Sequence, residues 1–237
     1  TEEYWTVDAE VSASSPPFTA KLFTLGGKRL GKFDLPNEAA AHAARDTIKA
    51  STFTITEVDQ KPGKKSPPPP FTTSTLQQEA ARKLGFSASR TMQTAQKLYE
   101  GVDIGGETVG LITYMRTDGV DMDGSAIAAA RRVIGKEFGD AYVPGVPRKY
   151  TVKAKNAQEA HEAIRPTDLG RLPAMVARHL EPEQARLYEL IWKRTMASQM
   201  EQARVENTSI NLFSADKQTG LRATGQVVTF DGFMAVY

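Results

Sequence analysis

The sequence predicts an α+β protein of more than one domain, in which an antiparallel β domain encloses an inserted, mainly helical domain. Three observations predict this: β-like segments occur at both ends of the chain, the middle follows a helical apolar period, and a run of prolines separates the first β region from the helices. We expect the two terminal regions to pair. The predicted domains are residues 1–66 together with 204–237, and residues 67–203.

The terminal regions alternate apolar and polar residues, as half-buried strands do. Gly26 and Gly27 are suited to a two-residue hairpin turn. Between Lys61 and Pro70 the prolines favour an extended connector at the domain boundary. The predicted strands cover residues 4–11, 18–25, 28–33, 52–58, 205–213 and 221–228.

Helix signals dominate the middle of the chain. Ser74 and Gln77 have capping-box spacing, Gly85 is a favourable stop, and Ser87 begins a second helix. The predicted helices cover residues 36–50, 74–84, 87–101, 123–138, 157–165 and 182–202. The pair around Gly85 indicates a helix-turn-helix-like arrangement, although an ordinary helical hairpin fits the pattern as well. Its basic residues fit either phosphate contact or a solvated face: Arg82, Lys83, Arg90 and Lys97.

Composition limits the classes of function. The 237 residues carry a net charge of +2, three histidines and no cysteine, which excludes disulfides and thiolate metal sites. No apolar run approaches the roughly 18 residues of a membrane span, and no secretory signal opens the chain, so we expect a soluble, intracellular protein. The chain begins without Met and ends just after predicted strand and turn residues, which indicates a piece of a longer protein.

The first candidate site follows the apolar run from Val109 to Ile112. If that run is a strand, Tyr114 and Arg116 point to the same face. A free phenol is almost wholly protonated at neutral pH, so a tyrosine nucleophile needs a group that stabilises the developing charge, and a guanidinium matches phosphate. Asp118 would orient the guanidinium and Thr113 would contact phosphate. The alternative is that Tyr114 is an amphipathic core residue.

The second candidate site is a short predicted helix from Ala157 to Arg165, opened by Asn156 and ended by Pro166. On a helix, His161 and Arg165 would share one face and could clamp a phosphate, with Glu162 beside them. A structural role for these side chains is the alternative.

Three segments together resemble one family. The run from Gly110 to Asp118, GLITYMRTD, resembles the active-site segment of bacterial type IA DNA topoisomerases. Residues 70–80 resemble the helix that precedes this segment in the family, and residues 157–168 resemble its second signature. The order and spacing of the three also fit the family, and the resemblance extends over nearly the whole chain.

The resemblance implies ATP-independent relaxation of negatively supercoiled DNA by a transient single-strand break. Tyr114 would form a 5′-phosphotyrosyl link and Arg116 would stabilise the transition state. His161 and Arg165 would position phosphates, with Glu162, Thr113 and Asp118 in support. The implied partners are a single-stranded DNA segment and the remaining domains of the same enzyme, with no membrane, in the cytoplasm near the nucleoid. The β domain would be an arch and hinge.

One part of the family pattern is missing from this sequence. Family members bind Mg²⁺ through acidic residues of an N-terminal Toprim domain, and no segment here matches it. We therefore expect no metal ligands and no ATP site in this chain, and little activity from it alone. Two other readings stay open: a non-catalytic DNA-binding or interaction module with a structural tyrosine, and a tyrosine recombinase or type IB enzyme, which forms a 3′ link.

Overall fold

A computed structural model describes residues 2–12, 16–151 and 161–237. The chain divides into two compact units, Thr1–Gly63 with Arg204–Thr229, and Lys64–Ala203 with Phe230–Tyr237. The last eight residues, which the sequence assigned to the β domain, belong to the helical unit. The reason is burial: Phe233 joins the apolar core of that unit, and its N–H donates to the Glu201 carbonyl.

Strands and helices alternate in blocks along the chain. The strands are β1 Asp8–Val11, β2 Phe18–Leu25, β3 Lys28–Arg29, β4 Phe53–Lys65, β5 Val102–Asp103, β6 Thr108–Val109, β7 Ala203–Ser214 and β8 Gly220–Phe230. The α-helices are α1 Glu38–Lys49, α2 Thr73–Leu84, α3 Ala88–Glu100, α4 Gly124–Phe138, α5 Pro173–Val176 and α6 Pro182–Ser198. This mixture of helices and antiparallel strand pairs confirms the predicted α+β class.

The first unit is built on a sheet of strand order β1-β2-β8-β7-β4, with β3 paired to β2. Strand β2 pairs antiparallel with β1, β3 and β8. Gly26 and Gly27 adopt positive φ values of 59° and 71° in the predicted β2–β3 turn. The sheet's core includes Ala20, Leu22 and Leu221, against which Ala44 of α1 packs.

Strand β4 is longer than predicted, because it continues to Lys65 through residues assigned to the connector. Pro62 lacks an N–H, and a strand at the sheet edge tolerates that loss. A Cβ on Gly63 would lie 2.6 Å from the Asn207 side-chain nitrogen, so glycine permits close packing on β7. The proline-rich connector is therefore confined to the residues after Lys65.

The helical unit begins with α2 and α3, which pack on each other and on α6. The predicted capping box of α2 was displaced by two residues: Thr72 is the N-cap, and its hydroxyl and that of Thr75 bond each other's backbone N–H. Gly85 ends α2 with a φ of 71°, and Ser87 caps α3 as predicted. Helix α4 has the predicted cap, Asp123, whose pKa is lowered by hydrogen bonds from the Ser125 hydroxyl and N–H.

A polar network holds α2 against α6 inside this unit. The Arg194 guanidinium donates to the Pro69 carbonyl and to the Tyr237 hydroxyl, which donates to Glu79 of α2 at 2.6 Å. Burial and the Glu79 carboxylate raise the pKa of Tyr237 to about 12. Because each buried polar group has a partner, the network fixes α2, whose first turn reaches the candidate site.

Within the described part of the chain, no helix is long and apolar enough to cross a membrane.

Candidate active site

The tyrosine segment leaves the core of the helical unit as irregular backbone. Strand β6 ends at Val109, and Ile112, which is buried, forms only an isolated bridge with Pro166. The condition that residues 109–112 form a strand is therefore met only as far as Val109. Met115 is buried, whereas Tyr114 and Arg116 on either side of it are exposed. This exposure pattern is compatible with two side chains on one face, and their shared chemistry stays a prediction.

Tyr114 is half exposed, at 51%, so the alternative of a core tyrosine does not describe it. Its ring meets the ring of Tyr99 edge-on, with centroids 5.3 Å apart and planes at 66°. Tyr99 lies in the last turn of α3 and is itself 42% exposed. The contact holds the ring in place while about half of the residue's surface stays accessible to solvent.

The backbone around Arg116 is fixed by Thr73, the first residue of α2. The Thr73 hydroxyl lies 2.7 Å from the Met115 carbonyl and accepts from the Thr117 N–H at 2.8 Å. The Thr73 N–H donates to the Thr117 carbonyl at 2.9 Å. These bonds fix the backbone on both sides of Arg116. The start of α2 therefore determines the position from which the Arg116 side chain extends.

A groove of about 480 Å³ lies at this junction. It is lined by the start of α2, the segment after Tyr114 and one histidine: Thr72, Thr73, Ser74, Arg116, Thr117, Asp118 and His161. Tyr114 is not among these residues. Over residues 2–12, 16–151 and 161–237, neither Arg116 nor Asp118 has a side-chain hydrogen bond or ion pair. Asp118 therefore does not orient Arg116 here, and the guanidinium can bind an anion.

Residues 161–165 are not helical, which corrects the predicted helix over 157–165. They run extended, with single bridges from Glu162 to Asp121 and from Ile164 to Phe71. The predicted start of that helix, including Asn156, lies outside the described residues. Tertiary pairing overrides the local helix signal here, because bridges to two distant segments satisfy this backbone. His161 and Arg165 consequently do not share a helix face.

Arg165 is engaged within the protein. Its Nε donates to Glu162 Oε1 at 2.6 Å, its Nη1 donates to the Pro166 carbonyl at 2.9 Å, and its side chain is only 12% exposed. The same Glu162 oxygen accepts the Asp123 N–H at 3.2 Å. The predicted clamp of His161 with Arg165 is thus not formed. Arg165 instead pairs with Glu162, whose carboxylate also holds the N-cap residue of α4.

Thr113 also has a role other than the predicted phosphate contact. Its hydroxyl donates to the Ala163 carbonyl at 2.7 Å and accepts from the Arg165 N–H at 3.0 Å. The Thr113 N–H donates to the Arg165 carbonyl at 2.9 Å. Thr113 therefore joins the tyrosine segment to the segment that carries His161.

The structural role of Glu162 predicts a loss of stability on Glu162→Ala. The change leaves a nearly buried guanidinium and the Asp123 N–H without their acceptor, so we expect about 1–3 kcal/mol of destabilisation. The matched control is Glu189→Ala, which removes a helical ion pair of the same 2.6 Å length whose side chains are 41% and 47% exposed. That control should cost less than about 0.5 kcal/mol in urea unfolding. Equal losses in the two variants would refute the structural assignment.

The basic residues of α2 and α3 do not form a free cationic surface. Arg82 and Lys83 pair with Glu79, Arg90 pairs with Glu183, and Lys97 pairs with Glu181. Lys83 also lies over the Tyr237 ring and Arg90 over Phe86. These contacts favour a structural role over phosphate contact.

No group of three or more potential metal-binding side chains occurs among the residues that the structure describes. The carboxylate nearest the groove, Asp118, stands without a second acidic group in its lining. These residues do not fit a Mg²⁺ site, because that ion takes several oxygen ligands.

Sequence reasoning missed two residues of this site, Thr73 and Tyr99. The predicted α2 began one residue later than the observed helix, so Thr73 was not considered as a partner of the tyrosine segment. Tyr99 falls at the end of a helix whose apolar pattern gives no sign of a ring contact. An exposed aromatic residue close in sequence to a candidate nucleophile is the signal that could have found it.

Comparison with known proteins identifies the family. The family model described as DNA topoisomerase matches residues 1–237, so the chain belongs to the DNA topoisomerase family. The curated relatives it resembles are bacterial proteins named DNA topoisomerase 1, the type IA isomerases. The chain is 53% identical over 236 residues to that of Zymomonas mobilis and 49% identical over 237 residues to that of Rickettsia bellii.

These relatives are much longer than the chain. The matches cover 100% of the chain but 18% of the Zymomonas protein and 30% of the Rickettsia protein. Among solved structures, full-length topoisomerase I from Thermotoga maritima matches with a TM-score of 0.74 and 38% identity, over 92% of this chain and 33% of that one. The comparisons thereby show the fold and the family of a chain that spans about a third or less of the length of these relatives.

Proposed function

We propose that this chain is the central part of a type IA DNA topoisomerase that relaxes negatively supercoiled DNA through a transient single-strand break. The observation that carries the proposal is the exposed Tyr114 two residues before Arg116. Among the residues that the structure describes, the Arg116 guanidinium has no partner, and it lines a groove that also contains His161. Family membership supports the same reading. Because the chain spans less than a third of its curated relatives, the activity belongs to the whole enzyme.

In the proposed step, the Tyr114 oxygen attacks a backbone phosphorus. The oxygen–phosphorus bond to tyrosine forms, the bond to the 3′ oxygen breaks, and that oxygen leaves as a hydroxyl that takes up the proton. One phosphodiester replaces another, so religation needs no ATP. Arg116 stabilises the charge on the non-bridging oxygens, and His161 donates to a neighbouring phosphate.

The supporting roles differ from the sequence-based ones. Thr113, Glu162 and Arg165 are positioning residues, because their polar atoms are bonded within the protein. Asp118 has no partner among the residues described and lines the groove, so it can orient Arg116 once a phosphate is bound. These assignments predict effects on the rate of cleavage through geometry, not through direct contact with DNA.

The rest of the enzyme would supply what this chain lacks. Mg²⁺ would be held by acidic residues outside it, and the β unit would act as the arch and hinge during strand passage. The proposed substrate, a single-stranded segment of chromosomal DNA, places the protein in the cytoplasm at the nucleoid. Different angles between the two units in independent crystal forms would support the hinge, and one constant angle in unrelated lattices would count against it.

Covalent trapping tests the proposal against its rivals. The full-length enzyme is incubated with single-stranded DNA, denatured and digested, and the DNA-linked peptide is identified. We expect a 5′ link to Tyr114. Normal cleavage by Tyr114→Phe would favour a non-catalytic role for this residue, and a 3′ link would indicate recombinase or type IB chemistry.

We predict that the 237-residue chain alone does not relax DNA. Supercoiled plasmid incubated with the chain and Mg²⁺ should keep its topoisomer distribution, whereas the full-length enzyme changes it. The reason is that the described part of the chain contains no cluster of acidic residues that could bind Mg²⁺. Efficient relaxation by the chain would refute the view that its site is incomplete.

A further inference from the structure

A second groove lies along α4, and none of its lining residues lines the groove that contains Arg116. Its volume is about 820 Å³, within the range of small-molecule sites. One wall is α4 and the other is the loop that follows it. The lining includes Gly124, Ile127, Arg131 and Arg132 of α4, and Asp140, Val143 and Pro144 of the loop.

Arg131 is the feature that points to a ligand. Its Nη1 atom is buried, yet it has no hydrogen-bond partner among the described residues. Leaving such a group unsatisfied costs about 1–3 kcal/mol, so an acceptor that reaches it, whether a phosphate oxygen or a water, would lower the free energy of this site. Arg132 beside it is exposed and likewise unpaired over the described residues.

The rest of the lining restricts the ligand. Two guanidinium groups and one carboxylate, that of Asp140, leave a net positive charge, which favours an anion. The remaining wall is apolar, with Ile127, Val143 and Pro144, and provides a surface against which a flat ring can pack. A phosphate attached to an apolar ring, as in a nucleotide, matches this combination.

A hydrogen bond links the start of α4 to the segment that carries His161. Gly124 forms the end of the groove at the start of α4, and the preceding Asp123 donates its N–H to Glu162, one residue from His161. A single DNA strand that passes His161 would therefore reach the start of α4 and continue along the helix. The backbone at Gly124 borders open space, since no atom lies within 4 Å of a Cβ built on it.

We propose that this groove binds one nucleotide of single-stranded DNA, with its phosphate on Arg131 and its base against the apolar wall. The proposal rests on the proposed function, because it assumes that DNA reaches the neighbouring site. It extends the DNA path beyond the phosphate that is cleaved, and it assigns Arg131 as a DNA-binding residue.

The test measures the affinity of the full-length enzyme for a single-stranded oligonucleotide as a function of salt. All variants carry Tyr114→Phe, so that binding is measured without cleavage. Arg131→Gln should weaken binding by roughly tenfold and lower the slope of log affinity against log salt by about 0.7, the value of one lost phosphate contact. Arg131→Lys should recover most of the slope. Lys136→Gln is the matched control, since it removes an exposed charge of the same helix outside the groove.

The outcomes separate this proposal from the proposed function. An unchanged slope in Arg131→Gln overturns the DNA site, and so does a slope change of equal size in Lys136→Gln. A lower melting temperature with an unchanged slope assigns Arg131 a structural role and overturns it too. If thymidine monophosphate or inorganic phosphate protects Arg131 from phenylglyoxal but the oligonucleotide does not, the site binds a free anion and the DNA assignment fails. If covalent trapping at Tyr114 fails, the proposed function is refuted, whereas the salt dependence still decides whether DNA binds at Arg131.

Discussion

Replacing Tyr114 with phenylalanine is expected to abolish covalent attachment of DNA to the full-length enzyme. The change removes only the hydroxyl, and the edge-on contact with Tyr99 is between rings, so the local fold should persist. Without the attacking oxygen no phosphotyrosyl bond can form. We therefore expect the rate of plasmid relaxation to fall by about 10⁴-fold or more. The measurement is the yield of DNA-linked protein on a denaturing gel, together with plasmid relaxation.

Tyr99→Phe is the matched control for this prediction. Tyr99 is also an exposed tyrosine, and its ring centroid lies 5.3 Å from that of Tyr114. If Tyr114 is the nucleophile, the Tyr99→Phe enzyme retains its ring contact and forms the covalent complex. No Lys or Arg lies between Tyr99 and Tyr114, so one tryptic peptide holds both and its fragmentation must locate the link. A link on Tyr99, or loss of the complex in Tyr99→Phe alone, would assign the chemistry to Tyr99 and refute the assignment to Tyr114.

The sequence predicted those parts of the fold whose signal lies within a few neighbouring residues, and it failed where distant segments pair. Gly85, Ser87 and Asp123 were correct as helix ends because a cap is decided by the residue and its next few neighbours. Strand β4 was underpredicted because its continuation through Pro62 depends on a neighbouring strand from the other end of the chain. Residues 161–165 were assigned to a helix because their bridges to Phe71 and Asp121 are not visible in local sequence.

At the candidate site, likewise, residue chemistry was predictable and contacts between side chains were not. Residue chemistry and resemblance selected Tyr114, Arg116 and His161, and the structure exposes all three. Sequence could not tell that Arg165 is paired with Glu162, because the pairing requires coordinates for both side chains. A positive residue near a candidate nucleophile can bind substrate or hold the protein together, and only its partners distinguish the two roles.

Arg116→Gln is expected to have the second largest effect on cleavage. Over the part of the chain that the structure describes, the guanidinium has no internal partner, so its loss leaves no orphaned acceptor and should change the free energy of unfolding little. Removing one preorganised group that stabilises transition-state charge costs about 10²–10³-fold in rate. We therefore expect single-turnover cleavage of an oligonucleotide to slow by that factor, with a smaller decrease in affinity.

Two further variants separate charge from geometry at this position. Arg116→Lys keeps the positive charge but loses the planar fork, so its cleavage rate should lie between those of the wild type and Arg116→Gln. Arg82→Gln removes an arginine of α2 whose side chain is 72% exposed and paired with Glu79, outside the groove, and should leave the rate unchanged. A rate loss in Arg82→Gln as large as that in Arg116→Gln would mean that overall charge, not the groove, governs cleavage.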